Sequence, residues 1–221
     1  MRAGDIRRIA RRAAIGADTR VMDLCCGVAG PGRLIAAETG CCYLGVDYSA
    51  SALAIAAERA DGGDCRFVQA RIPPVPRERC DVVLLLATFL AFADKQAVID
   101  EVAAVLPPGG RFACTVLVGA PLVGSERAAM PDADTVHPIP QLELFERLAR
   151  GGFDVAWTRD ATAEQARTAA ALLAAYRSGA GEIAGQVGVR ASSELIAAHE
   201  LWSAWLQSGR VRAMELVAKR R

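Results

Sequence analysis

The stretch Val21-Met22-Asp23-Leu24-Cys25-Cys26-Gly27-Val28-Ala29-Gly30-Pro31-Gly32, followed by the acid Asp47, limits the possible folds more than any other part of the chain. It reads as a hydrophobic strand, a tight glycine turn, a helix, a second strand and then a carboxylate just past that strand's end. Gly27 and Gly30 relieve the Cβ clashes of a sharp strand-to-helix turn, and Pro31 suits the first helical turn, where its missing N–H costs nothing. Cys41 to Val46 is a short apolar run, as expected of a strand covered on both faces. Ser49 or Ser51 then caps a helix starting near Ala50. Such a unit brings backbone N–H groups close to a ligand and sets an acid where ribose hydroxyls can be held.

The same alternation of strand and helix runs from Arg20 to about Val118 and implies a parallel sheet with helices on both faces. Val98, Val102 and Val105 mark one apolar helical stripe, and Leu142, Phe145 and Leu148 another. Pro107-Pro108-Gly109-Gly110 leads into a strand over Arg111 to Val118. Residues 119–137 read as a long loop rich in glycine and proline, a type of segment that often carries function. A helix over 139–150 and a strand over Phe153 to Arg159 follow. Two helical segments, about 162–185 and 192–207, precede a last strand over Val211 to Ala218.

The glycine order G-x-x-G-x-G differs from the G-x-G-x-x-G of nicotinamide-binding turns, and Asp23 lies within the first strand. "VMDLCCGVAGPGRLIA" resembles motif I of the class I S-adenosylmethionine-dependent methyltransferases, in their small-molecule branch. "YLGVDYSASALAIAAERA", "CDVVLLLATFLAF" and "VIDEVAAVLPPGGRFACTV" are similar to that family's second strand and helix, fourth strand, and helix, turn and fifth strand. The resemblance implies one α/β domain over 1–221, a three-layer, seven-stranded, mostly parallel sheet with a Rossmann-like course. Residues 162–207 would be a helical cap inserted in the hairpin of the last two strands. It implies S-adenosylmethionine as cofactor: Asp23, Cys25, Gly27 and Ala29 bordering its methionine part, Asp47 on the ribose hydroxyls, Tyr48 beside the adenine, and Ala87 and Thr88 beneath the sulfonium. Cys25 and Ala29 stand where the family has its first and third glycines. The acid that often follows the third strand is replaced by Ala70 and Arg71, so backbone groups near Arg71 and Ile72 serve the adenine contact.

The reaction implied is methyl transfer to a small organic acceptor in specialised metabolism, with oxygen favoured over nitrogen or carbon. Candidate catalytic groups are His137, as a base oriented by Asp132 or Asp134, Asp160 just past the sixth strand, and His199 on the face of Leu195, Trp202 and Leu206. The altered motif I keeps two alternatives open: a methyltransferase fold that performs a cyclisation or elimination, and a non-catalytic partner subunit. A homodimer is compatible with either.

Composition narrows the field further. A chain of 221 residues, 52% hydrophobic with net charge +1, argues against disorder and against electrostatically driven nucleic-acid binding. The cluster Arg7, Arg8, Arg11 and Arg12 reads as a solvated helix face with Ile6, Ile9, Ala10 and Ala13 turned inward. Seven cysteines match no zinc spacing, so no metal is expected, and their odd number and apolar settings suit a reducing cytoplasm. No apolar span of membrane length and no signal peptide is read in the sequence, so no membrane partner is expected.

Overall fold

In a computed structural model that describes residues 1–60 and 64–221, seven strands form one sheet in the order β3-β2-β1-β4-β5-β7-β6. The strands are β1 (Arg20–Leu24), β2 (Cys42–Asp47), β3 (Cys65–Gln69), β4 (Val82–Leu85), β5 (Arg111–Val118), β6 (Phe153–Asp160) and β7 (Arg212–Arg220). The first five run parallel, and β7 is antiparallel to both β5 and β6. Parallel strands need crossovers, and the chain supplies them with α2 (Gly30–Thr39), α3 (Ala50–Glu58) and α4 (Lys95–Val105). Ser49 caps α3 by accepting the Ala52 N–H, and Asp94 caps α4 by accepting that of Ala97.

Alternation along the strands separates two cores. Met22, Leu24, Val83, Leu85 and Phe112 pack with Val98, Ile99 and Val102 of α4 and with Leu144 and Leu148 of α6 (Gln141–Arg150). Val21, Val82, Leu84 and Ala113 pack on the other face with Ile35 of α2, Ala56 of α3 and Ile9 of α1 (Ala3–Arg12). Three layers result, as expected from the apolar strands. The inward stripe of α1 is the one read from the sequence: Ile6, Ile9, Ala10 and Ala13 are all buried. Arg7, Arg11 and Arg12 lie on the exposed face as read, and three of the four arginines also have partners. Arg7 pairs with Glu38, Arg8 with Asp5 and Glu215, and the Arg12 guanidinium lies 5.3 Å over the Trp157 ring.

Four expectations need correction. Leu142 is 76% exposed, because it stands in the first turn of α6, and the stripe that faces the sheet is the i, i+4 pair Leu144 and Leu148. The segment 119–137 is not wholly loop, since it holds a short helix, α5 (Gly124–Ala129), and a 3-10 turn at Ala133–Thr135. The inserted region is three helices rather than two: α7 (Thr162–Ser178), α8 (Ala180–Val187) and α9 (Val189–Ser208). The breaks fall at Gly179 and Gly188, while Gly185 and Ser192-Ser193 lie inside helices. Gly30 carries no positive φ and a Cβ there would meet nothing within 4 Å, so the turn does not require it. Among the described residues, no helix is long and apolar enough to cross a membrane.

Candidate functional site

The carboxyl ends of β2, β1 and β4 lie side by side in the sheet, and backbone conformation there is unusual. Cys25, Gly27 and Ala29 have φ of +57°, +55° and +54°. Only glycine takes that region without strain, so two side-chain-bearing residues are held left-handed by their surroundings. Ala29 is fully buried and precedes α2, and its N–H donates to the Cys26 carbonyl at 2.8 Å. The Cys26 N–H in turn donates to Val46 at 3.1 Å, which ties the turn to β2.

Asp47, at the end of β2, locks the same turn from the other side. Its Oδ2 accepts the Gly27 N–H at 2.8 Å and its Oδ1 accepts the Ser49 N–H at 2.9 Å. A carboxylate offers about four lone-pair positions, so two are left for a ligand. Tyr48 beside it is 65% exposed, with the Arg71 guanidinium 5.5 Å from its ring centroid. Ile72 is half buried against the core that also holds Cys25. Together Tyr48 and Arg71 offer a flat aromatic and cationic wall.

Asp23 lies deeper, 3% exposed, and accepts a hydrogen bond of 2.7 Å from the Tyr43 hydroxyl. Burial pushes its carboxyl from 3.8 up to about 7, against the opposing effect of the Tyr43 hydrogen bond, and the charge of Asp47 adds to the rise. A carboxyl that binds its proton more tightly when folded loses stability as pH climbs from 3.8 to about 7. Asp23→Asn keeps the acceptor for Tyr43 and removes the titration. In the cofactor-free protein it is expected to flatten the decline and to stabilise by about 2 kcal/mol above neutrality. Denaturant unfolding at a series of pH values checks this, and an unchanged slope would contradict the assignment.

On the β4 side, Ala87 is exposed with φ +63°, and its N–H donates to Thr115 Oγ1 at 2.7 Å. The buried hydroxyl of Thr88 faces the Cys25 thiol and has no oxygen or nitrogen partner among the described residues. A buried hydroxyl with so weak a partner keeps hydrogen-bonding capacity to spare. Next to Ala87 opens a cleft of about 780 Å³, counted with its solvent-open mouth. Leu90, Thr115, Leu117 and Met214 line it from the sheet side, and Gln165 and Thr168 from α7.

The three proposed catalytic residues are not gathered here. His137 lines a different cavity, with Lys95, Glu143 and Arg147. Its ring Nε2 meets the backbone carbonyl of Asp134 at 2.8 Å, not a carboxylate, and its own carbonyl accepts from Lys95 Nζ. His199 sits between cap helices, with Nδ1 2.8 Å from the Leu195 carbonyl and its ring edge-on to Tyr176 at 4.7 Å between centroids. Asp160 accepts the Thr162 N–H at 2.8 Å. A hydrogen bond from the Thr162 side chain, followed by this backbone bond, holds its carboxyl below the usual range, which makes it a poor base. Asp160 ends β6, and its carboxylate holds the first N–H of α7 two residues on. Asp160→Ala is therefore expected to cost about 1 kcal/mol of stability, typical of a lost helix cap, and to leave turnover within about twofold. Thermal unfolding beside initial rates checks this, and a large rate loss at unchanged stability would restore a catalytic role.

Sequence reasoning overlooked Tyr43 and Thr115. The second had a visible signal, a lone hydroxyl in the otherwise apolar strand "RFACTVLV". Tyr43 had none, because its partner Asp23 lies on the neighbouring strand. Among the described residues no group of three or more His, Cys, Asp or Glu is placed to hold a metal ion.

Comparison with known proteins follows the same lines. Residues 21–110 match a family described as a methyltransferase domain. Methyltransferase GfsG of Streptomyces halstedii is 24% identical over 176 residues, 75% of this chain and 63% of that protein, so the chain spans less than two thirds of that relative's length. The cyclopropane synthase MmaA2 from Mycobacterium tuberculosis superposes with a TM-score of 0.89 at 15% identity, covering 98% of this chain and 83% of that one. Phosphoethanolamine N-methyltransferase 2 of Haemonchus contortus, solved in complex with S-adenosyl-L-methionine, gives 0.82 at 18% identity, over 98% and 52%. These likenesses establish the α/β methyltransferase fold. A fold that carries both a cyclopropane synthase and an N-methyltransferase does not by itself select a reaction.

Proposed function

We propose that this chain, which carries a methyltransferase domain and the class I S-adenosylmethionine-dependent methyltransferase fold, binds S-adenosylmethionine and transfers its methyl group to a small organic acceptor. The observation that carries the reading is Asp47, whose carboxylate closes the Gly27 turn and keeps lone pairs for two ribose hydroxyls. Tyr48 and Arg71 flank the adenine, with Ile72 behind them. Asp23, Cys25, Gly27 and Ala29 border the methionine part, and Ala87 and Thr88 lie beneath the sulfonium. When bound, the cofactor supplies an electrophilic methyl on a positively charged sulfur.

The work of the protein's own residues is then alignment. The cleft beside Ala87 holds the acceptor, α7 closes it from above, and Leu90, Leu117 and Met214 exclude water. Its wall carboxylates are occupied: Glu215 by Arg8, Glu164 by Arg159 and Asp5 by Arg8. Every carboxylate of the wall is thus ion-paired with an arginine. Oxygen remains the favoured acceptor atom, with its proton leaving through the cleft's solvent-open mouth and proximity supplying most of the acceleration. The role suits specialised metabolism in the cytoplasm.

The test is transfer of labelled methyl from S-adenosylmethionine into organic products when the protein meets a small-molecule extract of its source organism. A labelled product that Asp47→Ala abolishes supports the reading. Tight cofactor binding with no labelled product from any extract counts against methyl transfer and for the repurposed fold.

A further inference from the structure

The acceptor cleft carries information about its ligand that the cofactor crevice does not. Thr115 stands on β5 between the two. Its Oγ1 accepts the Ala87 N–H at 2.7 Å, and a hydroxyl that accepts still has one proton to give. No described residue accepts that proton, and Thr115 lines the cleft. The rest of the wall is apolar, from Leu90, Leu117 and Met214, or neutral and polar, from Gln165 and Thr168. Three carboxylates also reach the wall, those of Asp5, Glu164 and Glu215.

Both oxygens of Glu215 and one each of Asp5 and Glu164 are engaged by two guanidiniums behind the wall, and the other Asp5 oxygen accepts the Arg2 N–H. Arg8 Nε and Nη2 donate to the two oxygens of Glu215 at 2.8 and 2.6 Å, and Nη2 also donates to Asp5 at 2.6 Å. Arg159 pairs with Glu164 and keeps its buried Nη1 3.6 Å from Glu215. Neither guanidinium lines the cleft. An anion would meet three carboxylates against the single amine of Met1, since both guanidiniums lie behind the wall, and the balance is repulsive at this range. An ammonium would have to share each carboxylate with the arginine that already holds it.

Resting on the methyltransferase reading above, we infer that the acceptor is an uncharged, largely apolar molecule bearing an oxygen, and that Thr115 is the residue that anchors it, by donating its hydroxyl proton to that oxygen. The same hydroxyl holds Ala87 in its left-handed conformation, so acceptor and cofactor crevice are registered through one side chain.

Four probes with one carbon frame test this on protein preloaded with S-adenosylhomocysteine: 2-naphthol, naphthalene, 2-naphthoate and 2-naphthylmethylammonium, titrated by ligand-observed magnetic resonance. The expected order has naphthol tightest, at least about fivefold over naphthalene and about tenfold over naphthoate, with the ammonium no tighter than naphthol. Thr115→Val should erase the advantage of naphthol over naphthalene while leaving naphthalene itself within about twofold, and Thr115→Ser should restore it. Naphthoate or the ammonium binding tightest, no probe binding at all, or a naphthol advantage that survives in Thr115→Val would overturn the inference. Failure of the underlying reading is seen separately, as absence of S-adenosylmethionine binding while the naphthol preference persists.

Discussion

Gly32→Ala is expected to lower stability by about 4 kcal/mol, whereas Gly30→Ala, two residues away on the same helix, should be neutral or stabilise by up to about 1 kcal/mol. Gly32 is buried, and a Cβ built on it overlaps the ring and hydroxyl of Tyr43. Tyr43 is 2% exposed and has little freedom to give way. Its ring packs edge-on against Phe67 at 6.1 Å, and its hydroxyl is bonded to Asp23. Forcing the ring aside adds overpacking strain of about 1–3 kcal/mol. It also strips a buried Asp23 of its donor, for about 1–3 kcal/mol more. At Gly30 a Cβ has no neighbour within 4 Å, so alanine only reduces the entropy of the unfolded chain. Denaturant midpoints of the two variants decide the matter, and equal midpoints would remove the Tyr43 contact from the account.

Asp47→Ala should weaken S-adenosylmethionine by about 100-fold, since two hydrogen bonds to an ionised carboxylate contribute about 1.5 kcal/mol apiece. Asp47→Asn should be nearly as damaging, which separates this site from one that needs only a polar acceptor. Both oxygens of Asp47 already accept a backbone N–H, from Gly27 and from Ser49. An asparagine must turn its NH2 group toward one of those donors, so the turn opens or the side chain leaves. Calorimetry with both variants, beside their unfolding curves, provides the check. A loss smaller than about threefold in either one would take Asp47 off the ribose.

Particular residues explain why the sequence was readable in some places and opaque in others. The strands, the Gly27 turn and Asp47 were legible because their chemistry is local: apolar runs, a turn needing positive φ, and an acid at a strand end. Gly32 was passed over in favour of Gly30 because the ring that excludes its Cβ comes from Tyr43 on another strand. His137 and Asp160 were nominated from their place after a strand. Which cavity such a loop faces depends on packing, here Lys95 holding the His137 carbonyl and Thr162 claiming the Asp160 carboxylate. His199 was read on a helical face, but only the docking of α7 against α9 turns that face to Tyr176. The third cap helix was missed because Gly179 and Gly188, rather than Gly185, end the segments.

The measurement that bears most directly on the central claim is a calorimetric titration of the unmodified protein with S-adenosylmethionine and, separately, with S-adenosylhomocysteine. The crevice built from Cys25, Gly27, Asp47 and Ala87 predicts one site per chain and micromolar affinity for both. No binding of either compound at millimolar concentration would contradict that claim, and with it the assignment of Asp47 to the ribose.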